Sequence, residues 1–148
     1  MKRILFSIIL IFLCLNINAQ RAEAWKVIGV YTASIVLDAV GDGLNDSGEK
    51  VLGHSLQAAS TGLLLSSPFI IDYQKDKWYW YLLSYTFIRV SLFDYTYNIT
   101  RGLPLEYRGN SSLFDRSINA FNPPDTKFFR TTTIIVGISI PLNELWSE

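Results

Sequence analysis

The chain has 148 residues, room for one domain, and its 13 basic and 13 acidic residues leave no formal net charge. It therefore carries neither the basic footprint of a nucleic-acid binder nor an acidic tail. Its single cysteine, Cys14, sits inside an N-terminal apolar run, which excludes disulfides, thiolate zinc sites and thiol catalysis from the rest of the chain.

Lys2 and Arg3 precede an apolar run from Ile4 to Leu15, and Asn16-Ile17-Asn18-Ala19 then ends on a small residue before Gln20. This is the layout of a cleavable export signal. Its core of about 12 residues falls short of the roughly 20 that a helix needs to cross a hydrocarbon layer. Residues 1–19 are therefore read as a signal peptide and 20–148 as a single helical, membrane-associated domain. The expected location is the cell membrane of a gram-negative-type bacterium, or the periplasm if the domain is not embedded. Ile11-Phe12-Leu13 before Cys14 lacks the small residues that precede a lipidated cysteine.

From Trp25 to Val40 the chain is apolar with one late acid, Asp38, and its Gly29, Ala33 and Ser34 are small enough to let helices approach closely. A helix is expected. Gly41 to Gly48 holds three glycines among polar turn formers, so a loop is expected there. Val51 to Ile71 carries no formal charge and has Ala58, Gly62 and Ser66 at four-residue spacing, the pattern of a span with a small-residue packing face. Pro68 would kink its last turn. Asp72, Lys75, Asp76 and Lys77 make a short charged turn, and Trp78-Tyr79-Trp80-Tyr81 is an aromatic cluster of the kind found at a headgroup boundary. Leu82 to Asn98 continues apolar and aromatic around Arg89 and Asp94.

Between Arg101 and Arg130 prolines, glycines and charges of both signs mark a departure from the bundle. Ser112 to Asp115 resembles a capping box ahead of Phe114, Ile118 and Phe121, so a short surface helix is expected. Thr131 to Ile140 is rich in β-branched residues, which suits a strand or a short helix equally. The fold class is thus all-α: an antiparallel membrane bundle of three to four helices, with a polar loop and a surface helix before the last apolar segment. With the mature N-terminus outside, three spans place residues 101–130 in the cytoplasm. There Arg101, Arg108, Arg116, Lys127 and Arg130 outnumber three acids.

Ionisable residues inside apolar runs are the candidates for chemistry. Asp38, Asp42, Gly43, Asp46 and Glu49 fall on positions one, five, six, nine and twelve of a calcium loop, but Val40 at the third position offers no oxygen. The plainer reading is that these acids cap helices and solvate a loop. No cofactor is predicted, with calcium as the metal alternative. His54, Gln57 and Thr61 share a helical face, though no second His or Cys exists to complete a usual metal set. Asp94, Asn98 and Arg101 share a stripe, while Arg89 lies round the helix from them and most simply answers Asp38 or Asp42. The expected polar cluster is Asp38, Asp42, His54, Gln57, Arg89, Asp94, Asn98 and Arg101.

The strings Asp38-Ala39-Val40-Gly41-Asp42-Gly43-Leu44-Asn45-Asp46 and Phe93-Asp94-Tyr95-Thr96-Tyr97-Asn98-Ile99-Thr100-Arg101-Gly102-Leu103 resemble segments of small, uncharacterised signal-bearing multi-helix membrane proteins of gram-negative bacteria or their phages. The resemblance implies an export address and a helical fold, and it implies no activity. Three functions follow as expectations. The leading one is a structural or accessory membrane protein whose inward charges fix helix register, with membrane lipid around it and a protein partner at residues 101–130. The second is a small membrane enzyme, or an ion or lipid-headgroup handler, using Asp38, Asp42, His54, Arg89 and Asp94. The third is a calcium-responsive helix-loop-helix. Enzymatic function is the lesser expectation, since no nucleophile elbow or phosphate loop is present in the sequence.

Overall fold

In a computed structural model the described residues are 22–109, 116, 119–120 and 125–143. They are all-helical: α1 (Ala22–Asp46), α2 (Lys50–Ser66), α3 (Trp78–Thr100) and α4 (Thr126–Asn143), with 3-10 turns at Ser67–Phe69 and Lys75–Lys77. The signal segment lies outside the described residues, as does most of the surface helix expected around Phe114, Ile118 and Phe121.

The helices alternate in direction. Ser60 of α2 donates to the Ser34 carbonyl of α1, and Gly53 faces Gly41, so α1 and α2 are antiparallel. Tyr31–Tyr85, Asp38–Arg89 and Asp46–Tyr97 advance together along α1 and α3, which makes that pair parallel. Ser84–Gly137 and Ser91–Thr133 set α4 antiparallel to α3. α2 packs on α1, α1 on α3, and α3 on α4. The apolar core of Val27, Tyr31, Ile35, Ile71, Tyr81 and Ile88 lies mostly between α1 and α3.

The expected loop at Gly41 to Gly48 is largely helix. α1 continues through Asp46 and ends in a Schellman motif: Gly48 takes φ 96°, Glu49 N–H donates to Leu44 O at 2.9 Å, and Gly48 N–H donates to Asn45 O at 3.1 Å. Its internal glycines serve close approach. A Cβ on Gly41 would stand 2.7 Å from Gly53 O, and one on Gly43 would stand 2.8 Å from Thr100 Cγ2. The polar run looks loop-like in sequence because glycine is costly in an isolated helix, and here tertiary packing outweighs that cost. α3 ends the same way, with Gly102 at φ 63° and Leu103 N–H donating to Asn98 O at 2.8 Å.

Two further differences concern α1 and α2, and α4 resolves a choice that the sequence leaves open. Ala58 and Gly62, expected to face a neighbour, are exposed on α2. The packed face is Gly53, Gln57 and Ser60, because α2 is rich in small residues on both sides and the contact with α1 selects only one. On α1 likewise Ser34 is buried while Gly29 and Ala33 are exposed. The segment left between strand and helix is helix α4, opened by Asp125, whose carboxylate accepts from Phe128 N–H at 2.9 Å.

Candidate functional site

Asp38, Asp42 and Asp46 repeat every fourth residue and so share one stripe of α1. Each carboxylate meets a different partner. Arg89 Nη1 of α3 donates to Asp38 Oδ2 at 2.8 Å, and the same guanidinium lies 4.6 Å from the Phe93 ring centroid. Gln57 Nε2 of α2 donates to Asp42 Oδ1 at 2.9 Å, while Gln57 Oε1 accepts from Asn45 Nδ2 at 2.9 Å. Tyr97 of α3 donates to Asp46, and Arg101 donates to Ser47 Oγ at 3.2 Å. The stripe therefore follows the seam along which α2 and α3 flank α1.

A second station closes the opposite side of α3. Arg130, buried in α4, donates to Asp94 of α3 and to the carbonyl oxygens of Leu105 and Tyr107. Asn98, also buried, donates to Tyr107 O at 3.0 Å. Arg108 Nε reaches Thr126 Oγ1 at 2.9 Å, and Lys127 pairs with Glu106. Side chains of α3 and α4 thus pin the segment 102–109 across one end of that helix pair. The Lys127 ammonium beside Glu106 holds that carboxyl below the usual carboxylate range.

The expected single cluster is divided into these two stations. Asp38, Asp42, Gln57, Arg89 and Arg101 line the seam, whereas Asp94 and Asn98 belong to the Arg130 station. Asp94 meets Arg130 and not Arg89, because it lies on the α4 side of α3. His54 is exposed on α2, with Nδ1 3.4 Å from Gln57 Oε1, and takes no part in either ion pair. Arg130, Asn45, Ser47 and Tyr97 are the members that sequence reasoning missed. Arg130 stood at the edge of a polar excursion, 36 residues from Asp94, and nothing local marks it as buried.

The calcium-loop register requires a coiled segment, and Asp38 through Asp46 is helical. Among the described residues no group of three or more His, Cys, Asp or Glu side chains is placed to hold a metal ion. Chemically, both stations offer charge pairing and carboxamide hydrogen bonds that lock side-chain rotamers and helix register.

No protein-family model, curated protein or solved structure matches the chain.

Proposed function

We propose that this chain is a small integral membrane protein with a structural or accessory role, whose inward polar groups set the register of its helices. One observation carries the reading: beside its apolar core the bundle buries polar side chains at its helix contacts, while large apolar side chains stand outward. Where helices touch, the buried positions include Ser34, Ser60, Ser84, Ser91, Thr133, Asn98 and Arg130. Outward stand Val51 at 85% exposure, Leu65 at 74% and Phe69 at 92%, with Leu52, Leu82 and Phe128 also exposed. Lipid tails are as apolar as leucine, so helices in a bilayer gain by packing small residues and pairing polar ones, and large apolar side chains face outward at no cost.

Dimensions support the same reading. Among the described residues α1 alone has both the length and the apolar composition to cross a bilayer; α2 and α3, also expected as spans, lack one or the other. On α3, Trp78 and Tyr97 are separated by about 28 Å at 1.5 Å per residue, close to the roughly 30 Å of a hydrocarbon core. Aromatic residues at both ends of α3 match interfacial belts. Asp38 pairs with Arg89 and Asp94 with Arg130 at separate stations, which favours a register-fixing role over a shared catalytic centre. The basic excess between residues 101 and 130 supports a cytoplasmic placement of that segment, where it is available to a protein partner.

Fractionation of cells expressing the full chain tests the proposal. Retention in the membrane pellet through alkaline carbonate, with release by detergent, is expected. Recovery in the periplasmic extract without detergent contradicts it.

A further inference from the structure

The Asp38–Arg89 pair is incompletely covered, with the Arg89 side chain 37% and the Asp38 side chain 28% exposed. Arg89 lies about 16 Å along α3 from Trp78 at 1.5 Å per residue, close to the midplane of a layer roughly 30 Å thick. At that depth lipid does not solvate ions, and the exposed part of a charged pair needs polar cover. The pair uses only Nη1 of Arg89 and Oδ2 of Asp38. Among the described residues, Arg89 Nη2 and Nε and Asp38 Oδ1 make no hydrogen bond.

We infer that the seam of α1 and α3 at Asp38 and Arg89 is the surface through which two copies of this chain associate. The inference rests on the membrane reading and extends it to a partner. The argument for a second copy is charge complementarity. A patch that presents one carboxylate beside one guanidinium, each with unused hydrogen-bonding capacity, matches itself under a two-fold axis normal to the membrane. Asp38 of each copy then meets Arg89 of the other, forming a closed four-member network in which each charge has two opposite neighbours.

The test uses the full chain with Cys14→Ser, carrying Asp76→Cys for donor and acceptor dyes, in phosphatidylethanolamine–phosphatidylglycerol vesicles. Energy transfer between copies is expected for the otherwise unaltered protein. Asp38→Asn should reduce association at least tenfold with helical circular dichroism unchanged. Copies bearing Asp38→Arg, or Arg89→Asp, should fail to associate alone, and mixing the two should restore transfer to within about twofold of the starting protein. That restoration between copies is the signature, because a pair acting only within one copy is rescued only when both substitutions share a chain. Mixed copies that associate no better than either alone overturn the inference. So does a protein that floats with vesicles yet shows no transfer, which would leave lipid defects or water as the cover of the pair and the membrane reading intact. Failure to float with vesicles removes the membrane reading itself, and the inference with it.

Discussion

Arg130 of α4 reaches Asp94 of α3 across 36 residues of sequence, and the same guanidinium holds the carbonyl oxygens of Leu105 and Tyr107. One side chain therefore fixes two things at once: the register of the α3–α4 pair and the path of the segment between them. Its planar fork supplies donors in several directions, which an ammonium on a flexible stem does not reproduce.

Removing that guanidinium takes the Arg130 cation from half-buried Asp94 and one donor from each of two carbonyls. Arg130→Ala should cost about 3–5 kcal/mol, the range for breaking a buried pair from one side. Arg130→Lys should recover only part of that loss. Thermal unfolding followed by circular dichroism in detergent micelles measures both, and equal midpoints for Arg130→Ala and the unaltered chain would contradict the assignment.

Glycine positions separate sharply by environment. A Cβ at Gly137 would stand 2.6 Å from Ile88 Cγ1 and 2.8 Å from Ile88 N, whereas one at Gly62 meets nothing within 4 Å. Gly137→Ala should therefore destabilise by about 1–3 kcal/mol through overpacking. Gly62→Ala should be neutral or stabilising by up to about 1 kcal/mol, the helix-propensity gain of alanine over glycine. Paired unfolding curves for the two variants check the contrast.

Glu106 titrates below the usual carboxylate range because of Lys127 beside it. A lowered folded-state pKa contributes stability above the unfolded value and loses it as pH falls through the folded one. The contact should therefore weaken only on the acid side, and its exposure keeps the effect small and salt-sensitive. Carboxyl chemical shifts should report the depressed midpoint for Glu106, and Lys127→Ala should return it toward the ordinary value.

The all-helical fold was legible because α1, α2 and α3 each read as a long apolar run broken by turn residues. The partner of Arg89 was legible as far as Asp38 or Asp42, since a lone cation in an apolar run has few acids within reach, and the fold selects Asp38. What escaped was decided by tertiary contact. Gly41 and Gly43 look like loop residues until Gly53 and Thr100 are seen against them. The choice of Gly53 and Ser60 over Ala58 and Gly62 as the packed face of α2 is invisible in sequence, since both stripes are small. Arg130 was hidden because residues 131–140 suited strand and helix alike, and only the helix turns its guanidinium toward Asp94.

On the membrane reading, the large apolar side chains on the outside of this bundle face lipid. In a Cys14→Ser background, Leu65→Cys and Asp76→Cys in vesicles loaded on both sides with a hydrophilic maleimide compare an outward apolar position with a charged turn. Both positions are exposed in the isolated fold. Rapid labelling is expected at position 76, with protection at position 65 that detergent abolishes. Comparable labelling of the two in intact bilayers would contradict it.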